Sequence, residues 1–507
     1  MSYSTTKLVL ARMLAEELAP DISSPPHLAT ITDWAHTYIT AGRNPAKYHF
    51  SIPLRRILAT STPLCSEPRI DGSRLASRLA ARTEISMAVY LQQSGTISVH
   101  LSQPFLLAQA MQASQAIELG STINGLAGHP PVRVVKWVDD TVDVSRYRSA
   151  LCGDTMARVS VEVAKLASGK VQENYEVLRG SNQHVPEIAK ESRRIGNQIF
   201  QRAFASKYAP KLLTALRQNS CLLHDPRPGV PALTVCLPDE QTICMSDEHG
   251  VLSSLAKDAC VLYMMMVEQP GSATWVHYVP DSRRLLHWQN VVSVAELAAP
   301  AGAKNITHRL CAVSTVEVGS GVTSATLTGQ LLEKLGIAEW PATANAQTIA
   351  AIDEQVQRAA VHCAMAGASG TKKLVLENME GPSAGAFLQY NHARLCRILA
   401  PFPALCLPSQ WLPIDGEHVR APEAIVLALL VAQLPEVLQD TLSSRKPEAL
   451  AYHTNRLAHA VSKAIPVLRV KDMDLKVAEE RARFFAAVRA VLACALRLLG
   501  CSPVNEM

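Results

Sequence analysis

The last third of the chain constrains the fold most strongly, because almost all of it has the apolar periodicity of helices. From about residue 346 onward, five segments repeat apolar residues at helical spacing and are separated by polar breaks. In the last of them, AEERARFFAAVRAVLACALRLLG, residues Phe484, Val488 and Val491 fall at i, i+4 and i+7 and begin one apolar stripe. We therefore predict an all-α bundle over 346–507.

A strand followed by a helix marks the middle of the chain. The run VRVVKWV (132–138) is apolar enough for a buried strand, and the helical pattern of DVSRYRSALCGDTMARV (143–159) follows it. Enzymes of the α/β class often bind phosphate at such a junction, because free N–H groups and the helix dipole face the loop. The turn Asp143-Val144-Ser145-Arg146 holds no glycine that would let a phosphate approach. The junction therefore indicates either a nucleotide site or the remnant of one.

Short strand-like runs elsewhere predict further sheet structure. They are GTISVHLS (95–102), ALTVCLP (232–238), ACVLYMMMV (259–267) and TWVHYV (274–279). The segment WPATANAQ (340–347) is predicted to be a linker before the bundle. The expected fold class is therefore α/β plus all-α.

The composition excludes a disordered chain and indicates no membrane span. Apolar residues make up 48% of the 507 residues and charged residues 18%. The most apolar run, AIVLALLVA (424–432), is too short to cross a bilayer, so we expect a core helix there. The twelve cysteines form no CxxC pair, and we expect reduced thiols rather than a disulfide frame or zinc site. We expect an amphipathic first helix rather than a transit peptide, and a cytoplasmic protein without metal or membrane contact.

Positive charge is concentrated on one predicted helical segment of the chain. The net charge is +5, and segment 190–217 holds seven Lys or Arg against one acidic residue. Such a concentration is expected of a surface that meets a phosphate backbone, although a solvated helix face is the commoner meaning. We predict that three arginines of this segment contact RNA: Arg193, Arg194 and Arg202.

The predicted helix GAFLQYNHARLCRIL has two contrasting sides. At 100° per residue, Leu388, Leu395 and Leu399 cluster on one side. The opposite side holds Tyr390, Arg394 and Arg397. A tyrosine between guanidiniums can stack a splayed base while the arginines pair with phosphates. The alternative is a tyrosine that covers a neighbouring helix while the arginines meet acidic partners.

This helix resembles the signature helix of the DALR anticodon-binding domain of arginyl-tRNA synthetases, which carries a Gln-Tyr-Ala-His-Ala-Arg run. The likeness continues through EALAYHTNRLAHAVSKAIPVL (448–468) and AAVRAVLACALRLLGCSPVNEM (486–507). Segment 74–102 more loosely resembles the added N-terminal domain of the same enzymes. The resemblance implies that tRNA binds at the bundle. It assigns anticodon contacts to Gln389, Tyr390, His392, Arg394 and Met507. Because of their positive charge, we also predict RNA contacts at Arg397, Arg445 and Lys446.

The same resemblance allows the turn at 143–146 to be compared with a catalytic signature. Class I synthetases carry His-x-Gly-His after the first strand, and the arginyl enzymes follow it with Arg-Ser, Gly-Asp and Ala-Arg pairs. The three pairs match in register at 148–149, 153–154 and 157–158. The signature itself reads Asp143, Val144, Ser145, Arg146, so both histidines and the glycine are replaced. We interpret Asp143, Ser145 and Arg146 as a degenerate nucleotide site, and no lysine precedes Lys334 in the second signature region, 316–336.

The resemblance implies a degenerate class I synthetase Rossmann-like core (126–340). An N-terminal region like the added domain (1–125) precedes it, and a DALR helical domain (346–507) follows. Two segments resemble a non-catalytic family, that of DALR anticodon-binding domain-containing protein 3, more closely than they resemble active synthetases. They are GPSAGAFLQYNHARL (381–395) and THRLCAVSTVEV (307–318). That family implies an adapter that binds arginine tRNA for a tRNA 3-methylcytidine methyltransferase and needs no cofactor of its own. An active arginyl-tRNA synthetase and a protein scaffold without RNA binding are the alternatives.

Overall fold

A computed structural model of the protein describes most of the chain. The described residues are 3–18, 26–41, 49–60, 71–126, 132–137, 144–168, 176–180, 199–200, 205–224, 233–239, 241–247, 249–268, 274–280, 282–300, 306–310, 312–317, 346–368, 370, 374–375, 384–411, 414 and 416–507.

Helices dominate both ends of the chain, and strands are concentrated in the first two thirds. The described helices are α1 (Thr6–Leu18), α2 (Pro26–Tyr38), α3 (Leu54–Thr60), α4 (Gly72–Ala80), α5 (Gln103–Leu119), α6 (Val144–Ser168), α7 (Ala205–Gln218), α8 (Ser254–Glu268), α9 (Leu285–Ala298), α10 (Ala346–Gly367), α11 (Ala384–Leu399), α12 (Pro422–Ser444), α13 (Pro447–Val467) and α14 (Leu475–Leu498). The described strands are β1 (Tyr3–Ser4), β2 (Thr40–Ala41), β3 (Phe50–Ile52), β4 (Ile85–Leu91), β5 (Thr96–Leu101), β6 (Ile123–Asn124), β7 (Val132–Trp137), β8 (Glu176–Gly180), β9 (Ile199–Phe200), β10 (Leu222–His224), β11 (Leu233–Cys236), β12 (Thr242–Cys244), β13 (Thr274–Tyr278), β14 (Ile306–Leu310), β15 (Val316–Glu317) and β16 (Leu374–Val375).

The central sheet has the strand order of a dinucleotide-binding fold. Its five strands lie in the order β14-β13-β7-β8-β9, and every neighbouring pair is parallel. Counted along the chain, this is the order 5-4-1-2-3, which matches five strands of the doubly wound Rossmann arrangement. The order reverses between β7 and β13, so ligands of such folds bind at the carboxyl ends of these two strands. The predicted strands at 132–138 and 274–279 and the Rossmann-like core are confirmed.

The N-terminal region is built on an antiparallel sheet of order β2-β3-β5-β4. Strand β5 pairs with β4 and β3, so the predicted strand at 95–102 is confirmed. Asp71 caps α4 because its carboxylate accepts hydrogen bonds from the N–H groups of Ser73 and Arg74. Helix α1 confirms the amphipathic first helix, with its apolar residues buried from Leu10 to Leu18.

The helical bundle is formed by α10 to α14, as its periodicity predicts. The stripe that begins with Phe484, Val488 and Val491 is fully buried. Helices α5 and α6 pack against the same bundle, and their apolar residues belong to one continuous core with it. Gly500 ends α14 in the left-handed region, with φ at +86°, where a side chain would collide with His362 and Arg158.

The apolar run at 424–432 lies in α12, which is 23 residues long. By length and hydropathy this helix is long and apolar enough to cross a membrane. The sequence argument considered only the nine-residue run and therefore underestimated the length of the apolar helix. Of the most apolar 18-residue stretch of this helix, 67% is nevertheless buried inside the protein. The helix packs on α5 and α13. The prediction of a core helix is therefore confirmed.

Two sequence predictions of secondary structure are wrong. The run at 259–267 is helical within α8, where Ser253 caps the helix and Met264 and Met266 are buried against α7 and α9. A short apolar run has no periodicity that separates a strand from a buried helix. Segment 190–217 is not one helix either, because residues 199–200 form β9 at the sheet edge and α7 begins only at Ala205.

Candidate nucleic-acid interface

One side of α11 exposes the aromatic and basic residues that the sequence singled out. Tyr390 is 46% exposed, Arg397 is exposed and Arg394 is half-buried, whereas the three leucines opposite are buried. The guanidinium carbon of Arg394 lies 5.4 Å from the centre of the Tyr390 ring. Across the described residues, neither Arg394 nor Arg397 forms an ion pair. Among the described residues, therefore, the tyrosine is not covered and the two arginines are not neutralised by acidic partners.

Gln389 and His392 lie on the other side of α11 and are buried. The Gln389 amide donates to the carbonyl of Ser502 at 2.8 Å and accepts from the N–H of Val504 at 3.0 Å. His392 Nδ1 lies 2.8 Å from the Val504 carbonyl, and burial lowers the pKa of His392, so the neutral ring donates this hydrogen bond. Both side chains are buried, and the Gln389 amide and His392 Nδ1 bond to the 499–505 segment, which argues against direct contact with RNA; their assignment as RNA contacts stays a prediction.

The 499–505 segment is held along α11 and α10. Cys396 on α11 donates to the side chain of Asn505, and His362 on α10 lies 3.1 Å from the carbonyl of Leu499. Val504 is buried in the bundle, whereas Met507 beyond it is 38% exposed. No local sequence signal marks these anchors, since each contact joins residues more than one hundred positions apart. Met507 stays a predicted contact, presented by a segment that α11 fixes.

Arg445 and Lys446 occupy the turn between α12 and α13. Arg445 adopts φ of +60°, and its guanidinium donates to the carbonyl of Leu310 in β14 at 3.1 Å. This bond places Arg445 at the junction of the bundle with the central sheet rather than on the exposed side of α11. Lys446 is exposed at the first turn of α13.

A cleft of about 140 Å³ lies at this junction. It is lined by Arg148, Cys152, Leu310, Ala312, Val313, Ala368, Gly370, Ser444, Arg445, Lys446, Pro447 and Glu448. The sequence did not predict the cleft, because its walls come from four separate parts of the chain.

The start of α6 lies at the carboxyl ends of β7 and β13, where the doubly wound fold places its ligands. Asp143 lies outside the described residues, and the helix begins at Val144. The backbone of Ser145 and Arg146 forms the first turn, while nothing is described of their side chains. Ser149 in the next turn donates to the carbonyl of Val279, directly after β13.

Arg148 connects this helix to the bundle. Its guanidinium is buried and donates to the carbonyls of Met365, Ser314 and Ala368, at 3.0, 2.9 and 2.7 Å. It also contacts the Ser314 hydroxyl at 2.6 Å. These bonds satisfy a charge that burial would otherwise penalise. Arg148 therefore has a structural role that the motif match alone could not assign.

The basic segment is described only in part. Arg193, Arg194 and Arg202 lie outside the described residues, so these three contacts stay predictions. On α7, Lys211 and Arg217 are exposed while Leu212 and Leu216 are buried. The described end of the segment thus presents a solvated basic face.

Solved structures share the architecture along the chain. A Plasmodium falciparum arginyl-tRNA synthetase superposes with a TM-score of 0.70 at 12% identity, covering 100% of both chains. The Thermus thermophilus arginyl-tRNA synthetase gives a TM-score of 0.66 at 16% identity, covering 99% of this chain and all of the other. The fold is that of an arginyl-tRNA synthetase.

The C-terminal part of the bundle in this arginyl-tRNA synthetase-like fold is a DALR helical domain. Residues 388–507 match the model of the DALR anticodon binding domain. A probable cytoplasmic arginine–tRNA ligase of Dictyostelium discoideum is 37% identical over 123 residues, and a probable mitochondrial one of Homo sapiens is 31% identical over 131. These matches cover 24% of this chain and 20–21% of the relatives, so sequence similarity spans about a fifth of their length.

Proposed function

We propose that this protein binds arginine tRNA through its DALR domain and does not aminoacylate it. The observation that carries the proposal is the pairing of an open Tyr390–Arg394 face with a replaced catalytic signature. The face is free of ion pairs among the described residues, and it lies in the segment that matches an anticodon binding model. The relatives that match this segment are arginine–tRNA ligases, which supports arginine tRNA as the ligand.

The replaced signature argues against amino-acid activation. In the class I enzymes that the sequence resembles, the two histidines stabilise charge on the ATP phosphates, and the glycine lets adenosine approach the backbone. Loss of one such donor typically lowers a rate by about 10²–10³. Here both are replaced, and Asp143 adds a negative charge beside the predicted phosphate position.

We further propose that the bound tRNA is presented to a methyltransferase that forms 3-methylcytidine in the anticodon loop. The resemblance of segments 307–318 and 381–395 to a non-catalytic adapter family supports this role. The chain then supplies recognition, and the partner supplies the chemistry. A cytoplasmic location is part of the proposal.

An active arginyl-tRNA synthetase is the second candidate. It is favoured by the whole-chain similarity of fold and by Ser149, which bonds to the carbonyl of Val279 directly after β13 in the central sheet.

Two assays separate the candidates. We expect no arginine-dependent exchange of pyrophosphate into ATP, and we expect 3-methylcytidine on arginine tRNA only when protein and methyltransferase are combined. The matched control is the methyltransferase with an unrelated tRNA, whose modification the protein should not change. Pyrophosphate exchange above background would establish the synthetase instead. The adapter role would be contradicted if the methyltransferase formed the same amount of 3-methylcytidine on arginine tRNA with and without the protein.

A further inference from the structure

The side of α13 that faces away from the core repeats the chemistry of the exposed side of α11 with Tyr390, Arg394 and Arg397, which is called the α11 face below. Tyr452 is 67% exposed, and the guanidinium carbon of Arg456 lies 5.8 Å from the centre of its ring. The pair has the same i, i+4 spacing as Tyr390 and Arg394, at nearly the same distance from cation to ring.

Two further residues extend this side of α13 along one line. Tyr452, Arg456, His459 and Lys463 follow each other at intervals of four, three and four residues, so they fall within one narrow sector of the helix. Tyr452, His459 and Lys463 are exposed, whereas Leu450, Leu457 and Val461 on the other side of the helix are buried in the bundle. This row is called the α13 stripe below.

The α13 stripe is in contact with the α11 face. The ring of His459 lies 4.6 Å from the ring of Phe387, which occupies the same side of α11 as Tyr390 and Arg394. The two rows of aromatic and basic side chains therefore adjoin through the Phe387–His459 contact.

The charge of the combined surface is of one sign. Helix α11 contains no acidic residue, and the single acid of α13, Glu448, lies at its start and accepts a hydrogen bond from the N–H of Gly370. Across the described residues, Arg456 and Lys463 form no ion pair. An uncompensated basic row is expected to bind a polyanion.

We propose that the α13 stripe is a second binding surface for single-stranded RNA, continuous with the α11 face. The inference rests on the proposed tRNA binding and deepens it, because it predicts that the RNA follows two helices rather than one. Aromatic rings with adjacent guanidiniums stack successive bases and neutralise their phosphates. At the helical rise of 1.5 Å per residue, the α13 stripe spans about 16 Å and the row from Tyr390 to Arg397 about 10 Å, enough for about four and about three stacked nucleotides at 3.4 Å each.

The test compares double variants of the two surfaces. Binding of an arginine tRNA transcript is measured for the full-length protein, for Tyr452→Ala with Arg456→Ala, and for Tyr390→Ala with Arg394→Ala. We expect the α13 variant to lose about fivefold to 150-fold in affinity, the range that corresponds to one lost base–aromatic stack. Its slope of log affinity against log salt should decrease by about one, since one cation is removed from the phosphates.

Two controls make the result specific. Lys471→Ala with Lys476→Ala removes two exposed cations outside both rows and should leave affinity nearly unchanged. Tyr452→Phe with Arg456→Lys keeps a ring and a charge and should restore most of the binding. Because the mutated side chains are largely solvent-facing, thermal melting should show the same transition as the unmodified protein.

The outcomes separate this inference from the proposed function. If the unmodified protein does not bind the tRNA, the proposed function fails and the stripe fails with it. If the α11 variant loses binding while the α13 variant equals the lysine control, the proposed function stands and the stripe is overturned. A stripe that is dispensable for RNA would then be a surface for a protein partner.

Discussion

At the scale of single residues, α11 separates the proposed RNA contacts from residues that support the 499–505 segment. Tyr390 and Arg394 face solvent, whereas Gln389 and His392 are turned inward and bond to the 499–505 segment. A sequence motif contains both kinds of residue without distinguishing them. The structure divides the motif into side chains that are open to RNA and side chains that position the segment carrying Met507.

The inward role of Gln389 leads to a test. Gln389→Ala leaves the Ser502 carbonyl and the Val504 N–H without their partner, and an unpaired buried polar group costs about 1–3 kcal/mol. We expect faster hydrogen exchange at the amide of Val504 and a lower melting temperature. Tyr390→Ala serves as the matched control from the adjacent position, and it should change neither quantity. Unaltered exchange at Val504 in Gln389→Ala would contradict the positioning role.

At the scale of elements, α11 depends on a close approach to α10. A Cβ atom on Gly385 would overlap the backbone of Ala359 and Ala360, so only glycine lets the two helices meet at this distance. By contrast, a Cβ on Gly367 would make an ordinary contact of 3.6 Å with Ala451.

These two glycines form a matched pair for measurement. Gly385→Ala should lower the free energy of unfolding by about 1–3 kcal/mol, because backbone atoms must move apart to admit the methyl group. Gly367→Ala should change it by less than half of that amount. Chemical denaturation of both variants gives the comparison. Equal stabilities would show that α10 and α11 do not need their close packing.

The bundle was predictable from sequence because its helices are long and periodic. Buried stripes such as the one through Phe484 appear directly in the spacing of apolar residues. Helix α8 was not predictable, since its apolar run at 259–267 has no clear period. The anchors of the 499–505 segment and the cleft beside Arg148 were not predictable either, because they join residues far apart in the chain. Of the candidate site, the exposed row on α11 followed from spacing alone.

At the scale of the whole molecule, the N-terminal region, α6 and the bundle share one apolar core. Polar contacts also cross between the parts: the N–H of Lys7 donates to Glu436 at 2.7 Å, and the amide of Gln103 donates to the carbonyl of Val419 at 3.0 Å. The α11 face is thus fixed relative to the N-terminal region and to α6.

The central claim is that this surface recognises arginine tRNA. The most direct measurement is equilibrium binding of the purified protein to an arginine tRNA and to an unrelated tRNA at two salt concentrations. We predict a preference for the arginine tRNA that persists at the higher salt, because contacts to bases and shape depend less on counterions than contacts to phosphates do. Equal affinity for the two tRNAs that collapses at higher salt, or no binding at all, would contradict the account.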